Sequence, residues 1–304
     1  MEADTPPWLQ LPLRSEEDIA ILMHRDSHFA GRFSLMIDYY QNGGVGVVDL
    51  FAPERIKQLA HIEEELGADL AGAMLSGPEA EKVAESREMY RTLRAIYEVE
   101  QPQVNYPRLL ADLILSEEEE PLAEIQAIVA AGPTIVPSLL ELLETEQLHD
   151  PLFPGYGLTP KRVLACLAQI GDRRTILALF ERIGHDEFFD EEQTLRALRA
   201  IGAPAKEFLL GLLRIKEPSR DTERAAIALL AFDRDEEVAK RCLELLGRIN
   251  LQHHRQLASY LLLGCAGLTT EEERKQLASM TERCSFDRAL LADLKLITKE
   301  WKQQ

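Results

Sequence analysis

The sequence has few of the residues that usually announce a chemistry. Its four cysteines, Cys166, Cys242, Cys265 and Cys284, lie far apart and make no CxxC pair. That excludes a disulfide-stapled scaffold and a zinc knuckle. Each cysteine sits in an apolar helical context that reads as a reduced core thiol. Tryptophan occurs only at positions 8 and 301, and aromatics make up 6% of the residues, too sparse for a surface that stacks nucleobases. There is no GxGxxG, Walker lysine, GxSxG or HExxH sequence. The glycines of YQNGGVGVVDL (40–50) read as a turn, with GGVGVVDLF open to a short extended segment. MEADTPPWLQ lacks the basic and apolar regions of a signal peptide. No run approaches the roughly 18 apolar residues that a bilayer span requires. A cytoplasmic protein without a membrane partner is expected.

Positive charge is scarce in one half. The 304 residues carry a net charge of −18, and residues 1–150 hold 10 Lys/Arg against 29 Asp/Glu, the remainder 24 against 23. Nucleic-acid affinity comes largely from Lys/Arg displacing counterions, so a nucleic-acid partner is disfavoured. An acidic half suits a basic partner surface, or solubility. With 46% apolar and 28% charged residues, the chain fits a globular protein large enough for a sizeable core.

What is present is a repeat. Leu164, Leu167 and Ile170 lead to Gly171. The same frame returns as Leu195, Leu198, Ile201 and Gly202, then Ala226, Leu229, Phe232 and Asp233, then Leu257, Tyr260, Leu263 and Gly264. Upstream it occurs as Ile125, Ile128, Ala131 and Gly132. Steps of three and four residues put the apolar side chains on one helical stripe. Glycine permits the left-handed backbone that ends a helix, and Asp tolerates it. Asp172 can cap the next helix, and Pro133 fixes φ where no donor is needed. After each break follows a second amphipathic segment: IVPSLLELL, TILALFERI, KEFLLGLL and EVAKRCLELL. Each copy therefore reads as a helix, a tight turn and a helix. Neither helix can bury its stripe alone, so copies must stack.

LAQIGDRRTILALFERI and AAGPTIVPSLLELL resemble HEAT-like repeats, of the short subtype also found in phycobilin lyases. The resemblance covers residues 121–283. It implies an all-α fold, a right-handed α-solenoid of about five helical hairpins. Copy four departs in carrying Asp233 at the elbow, and copy one is longer by eight residues. Residues 284–304, with SFDRALLADLKLITKEW, read as a C-terminal capping helix striped by Leu290, Leu291, Leu294 and Ile297. Residues 1–120 read as an acidic N-terminal helical module that includes a degenerate extra repeat in one reading. In it PERIKQLAHIEEELGADLAGAML and PEAEKVAESREMYRTLRAIYE form a long antiparallel hairpin about Gly77-Pro78. LSEEEEPL (115–122) is the best join between module and repeats.

Candidate chemistry is thin. His149-Asp150 and His185-Asp186 lie in links between repeats, where they read as structural turns rather than metal ligands. His253-His254 face different directions if helical. No metal or other cofactor is expected. The long link LHDPLFPGYGLTP presents Phe153 and Tyr156 among Pro and Gly, and extra length in a repeat array falls on one face, often the binding face. These aromatics read either as tucked over a helix end or as a contact loop, with His149 and Asp150 beside them. Glu141, Glu181, Lys240, Arg241 and Glu244, on the polar sides of the second helices, are candidates for the floor of a binding surface. A non-catalytic scaffold for a protein or peptide partner is the favoured reading, and the acidic half suits a basic one. An enzyme or enzyme subunit of the lyase or metal-hydroxylase type is the alternative, and a nucleic-acid-binding HEAT-like protein comes third. The sequence fixes no oligomeric state.

Overall fold

The computed structural model describes residues 15–98, 105–184, 191–214, 217–283 and 288–301. Among these, every regular element is a helix or a 3₁₀ turn, and there is no strand. The all-α expectation holds, and GGVGVVDLF forms turns rather than an extended segment. The chain divides into two compact units, Met1–Val163 and Leu164–Gln304. The division falls inside a helix, Thr159–Ile170.

The first unit contains α1 (Glu16–His28), α2 (Phe33–Asn42), α3 (Pro53–Leu66), α4 (Leu70–Met74), α5 (Gly77–Ala95), α6 (Tyr106–Leu115), α7 (Leu122–Ala131) and α8 (Val136–Glu144). Helix α1 starts where Ser15 Oγ accepts from the Asp18 N–H at 3.1 Å, with three acids in its first turn facing the positive helix end. The stripe expected to run from Ile56 to Met74 is broken. Gly67 takes φ 59 and closes α3, and Asp69 caps α4 by accepting from Ala71 and Gly72 N–H groups. Leu66 is consequently 52% exposed, whereas Leu70 is buried. The long hairpin of α3 with α5 does not form. Instead α3 packs on α2, and α4 and α5 pack on α1.

Ile21, Leu22, Phe33, Met36, Ile56, Leu59 and Ile62 form the core of this arrangement. The Arg25 guanidinium lies wholly buried at its edge. It pairs with Asp26 at 2.7 Å, Glu63 at 2.5 Å and Asp69 at 2.8 Å, and stacks 4.5 Å over Phe33. Such a charge is tolerated only because its donors are taken up. Arg162 solves the same problem with neutral acceptors: it donates to the carbonyls of Leu113, Ile114, Ser116 and Glu118. Helix α7 packs on α6. Contrary to the sequence reading, Leu122–Glu144 is long and apolar enough by composition to pass for a membrane span, with mean hydropathy 1.5. Gly132 at φ 71 and a 3₁₀ turn divide it into α7 and α8.

The helix Thr159–Ile170, α9, leads into the second unit. There α10 (Ile176–Glu181), α11 (Glu191–Ile201), α12 (Ala203–Leu212), α13 (Arg220–Leu229), α14 (Glu236–Leu246), α15 (Arg255–Gly264), α16 (Glu271–Arg283) and α17 (Arg288–Trp301) follow. Sequence neighbours pair, α10 with α11, α11 with α12, α12 with α13 and α14 with α15. In addition α13 meets α15, and α15 meets α17. Leu290 and Ile297 of α17 are buried, but Leu291 is 40% exposed, so the capping stripe is narrower than expected.

The five elbows are not equivalent. At Gly171, φ is 63, its N–H donates to Leu167 O, and Asp172 then accepts from the Arg174 N–H at 2.8 Å. Gly132 and Gly202 also have positive φ. In copy four the left-handed residue is Arg234, at φ 60, one place beyond Asp233, and Asp235 caps α14. Gly264 stays in right-handed geometry at φ −59. Its requirement is space, since a Cβ there would stand 2.7 Å from Cys242 Sγ. The described cysteines, Cys166, Cys242 and Cys265, are buried and free, and burial pushes the Cys166 and Cys242 thiols up to about 12. Cys284 lies outside the described residues.

Leu198 of α11 is fully buried. Leu198→Ala is expected to cost roughly 2–5 kcal/mol through the cavity it leaves, read as a lowered urea midpoint. Leu177→Ala, at a side chain 56% exposed, should change it by less than about 0.5 kcal/mol.

Candidate functional site

Three of the residues anticipated from sequence, Lys240, Arg241 and Glu244, come together in one cleft of the second unit. It has a volume of about 440 Å³ and is lined also by Leu210, Arg214, Glu236 and Glu237. Helix α14 supplies it because its two faces differ. Val238, Ala239, Cys242, Leu243, Leu245 and Leu246 are buried, which leaves 236, 237, 240, 241 and 244 on the outer side. Helix α12 and the residues just after it supply Leu210 and Arg214. Helix α12 packs on α11 and α13, and α14 packs on α15.

The cleft's charges are paired with each other. Lys240 Nζ lies 2.5 Å from Glu236 Oε1 and 3.5 Å from Glu273 Oε1, and Arg241 donates to Glu244 Oε2 at 2.6 Å. At its edge Lys206 bridges Asp235 and Glu237 at 2.9 and 3.0 Å. Lys240 and Lys206 are held above the ordinary lysine value, chiefly by hydrogen bonds to Glu236 and to Asp235. Two of these pairs, Lys240–Glu236 and Arg241–Glu244, lie three or four residues apart on α14, the other three join separate segments, and all are at least partly open to solvent. Each is worth only about 0–1 kcal/mol and is screened by salt. Exchanging such a partner for a charge on another molecule costs little, which suits a recognition surface.

The other anticipated residues do not join this cleft. Glu141 and Glu181 are exposed on α8 and α10. The long link folds inward. His149 Nε2 meets the Leu143 carbonyl at 3.0 Å; Asp150 accepts from the Leu152 N–H and pairs with Lys82 Nζ at 2.5 Å. Phe153 is 2% exposed. Tyr156 is half-buried, with its ring 4.5 Å from that of His28. Of the two readings of the link, the tucked one describes these side chains. His253-His254 lie in a turn closed by Asn250 rather than within a helix. His185-Asp186 lie outside the described residues. Among the described residues no group of three or more His, Cys, Asp and Glu is placed to hold a metal.

A cluster that the sequence reading missed sits around this link. His28 Nδ1 lies 2.7 Å from Tyr90 Oη, and Nε2 lies 2.9 Å from the Pro151 carbonyl. A carbonyl only accepts, so Nε2 carries the proton and Nδ1 accepts from the phenol. Tyr39 and Tyr156 both donate to the Glu117 carboxylate, at 2.6 and 3.2 Å. Gly46 lies against Tyr156, where any Cβ would overlap the ring. His24 packs edge-on against Phe29, Tyr40 and Phe51. Burial is the main cause of every shift here. It lowers His28 to about 4 and, with the nearby His28, lowers His24 to about 3. It raises Tyr40 to about 12 and pushes Tyr90 and Tyr156 higher still. Both nitrogens of His28 are committed to partners, so the cluster fastens the link to α1. The His24-to-His28 spacing of four residues was the only signal of it in the sequence.

Compared with models of protein families, with curated proteins and with solved structures, the chain matches none.

The cluster has a consequence for acid stability. The folded imidazoles have values below the unfolded 6.5, so their contribution is fully present above pH 6.5. It is lost as the pH falls from there towards about 4 and 3. The loss is at most about 1.4 kcal/mol per pH unit for each group. The urea midpoint should therefore drop between pH 7 and pH 5. His24→Phe should reduce that drop, and an equal drop in the variant would remove His24 from the account.

Proposed function

We propose that this chain is a non-catalytic interaction scaffold that binds a protein or peptide on the cleft formed by α12 and α14. The observation that carries the reading is the gathering of Lys240, Arg241, Glu244 and Arg214 around buried Leu210, on α14 and at the end of α12. Cationic and anionic groups at fixed spacing select a partner of complementary charge order. The partner segment that suits the cleft is extended or helical and carries both signs of charge.

A right-handed solenoid of HEAT-like hairpins is the architecture we propose for residues 121–283. Its support is the 31-residue frame from Gly171 to Gly202 and onward, together with the meeting of α13 with α15 and of α15 with α17. In such an array the second helices form a continuous face, so α10, with Glu181, would extend the same surface within the second unit. A cytoplasmic setting fits the expectation of reduced thiols.

The full chain immobilised as bait tests this against a K240E/R241E variant. Wild type is expected to retain a partner set that the variant loses, with melting temperatures within about 2 °C because both side chains lie on the outer face. Equal recovery on the two baits would sink the cleft as the binding surface.

A further inference from the structure

We infer that the groove between α6 and α7, in the first unit, docks an amphipathic helical segment of another protein that sets a Lys or Arg against Asp112 and Glu124. This surface is separate from the cleft on α12 and α14 and stands without it.

The first observation is a mismatch between composition and burial. Leu122–Glu144 has a mean hydropathy of 1.5, yet only 28% of that window is buried. Leu122 is 61% exposed, and Ala123, Ala127 and Ala130 of α7 are open to solvent. Exposed apolar surface on this scale marks an interaction site more often than an idle face.

The second observation is shape. A groove of about 420 Å³ runs beside α7, lined by Leu109, Asp112 and Leu115 of α6, by Ala123, Glu124 and Ala127 of α7, and by Tyr97 and Ser116. Tyr97 Oη donates to Asp112 Oδ1 at 2.6 Å, and the Arg108 guanidinium sits 5.2 Å over the Tyr97 ring, so one wall is fixed in place. The lined stretches, 109–115 of α6 and 123–127 of α7, rise about 9 and 6 Å, room for roughly one to two turns of a third helix.

Charge decides the occupant. The ionisable carboxylates in the lining are Asp112 and Glu124, and no Lys or Arg lines the groove. Glu124 Oε2 is shielded from solvent and has no hydrogen-bond partner. The exposed Glu117 to Glu120 run borders the same end. A cation entering the groove meets the Asp112 and Glu124 carboxylates that line it. A second copy of this groove would bring acid against acid, and an anionic bilayer would meet the same repulsion. A segment with Leu-type anchors at i, i+3, i+4 and i+7 and one cation satisfies both the apolar and the acidic parts.

The test uses the full chain and a fluorescein-labelled helical peptide of about 14 residues, with Leu at those anchor positions, one Arg, and Gln elsewhere. Fluorescence anisotropy is expected to show saturable binding. Ala127→Arg, at an exposed position, should weaken it tenfold or more with an unchanged melting temperature. D112N/E124Q should weaken it severalfold. Glu81→Lys on α5 removes acid elsewhere, and K240E/R241E alters the other cleft, so both should bind as wild type does. Equal loss in Glu81→Lys and in D112N/E124Q would reduce the effect to bulk acidity and overturn the proposal. Two other results would do the same: Ala127→Arg binding as well as wild type, and wild type binding phosphatidylcholine–phosphatidylserine vesicles or self-associating through a surface that Ala127→Arg abolishes while the peptide does not bind.

Discussion

A helix of about ten residues with one apolar stripe has no stability of its own in water. Most helices of this chain are of that kind, so each exists only because a neighbour covers its stripe. Everything else in the structure follows from how the chain turns between them. Where it turns through a left-handed residue, as at Gly171, a 3₁₀ turn starts two residues on and leads straight into the next helix, α10. Where it turns through a longer link, as between α8 and α9, the link itself must be fastened.

The first unit shows what fastening requires. Its links are long, so polar groups come inside with them. Arg25 draws Asp26, Glu63 and Asp69 to one point, and Arg162 draws four carbonyls from the end of α6 and the chain just after it. Removing one partner of such a set leaves a buried charge uncompensated, which makes these arginines constraints on the fold as much as sources of stability. The His28 and Tyr156 cluster does the equivalent for the 147–159 link with neutral hydrogen bonds. A unit so tied internally still leaves α7 bare along one side, while α14 in the second unit leaves bare only its charged side. The two surfaces therefore suit different partners, one apolar with an acidic end and one of mixed charge.

The sequence by itself determined the helices and most of the places where they end. A stripe repeated at three and four residues, closed by Gly132, Gly171 or Gly202, is local information, because backbone φ and side-chain spacing act within a few residues. The outer face of α14 was legible for the same reason, and Lys240, Arg241 and Glu244 were read from it. The stripe from Ile56 to Met74 misled because apolar spacing carries across Gly67 even when the backbone does not. Only the tertiary structure decided that α5 lies on α1 rather than on α3, that Arg214 joins Lys240, and that His28 meets Tyr90 and Pro151 across 62 and 123 residues. Those contacts depend on which stripe covers which. That choice is made by the whole set of packed surfaces and leaves no periodic mark along the chain.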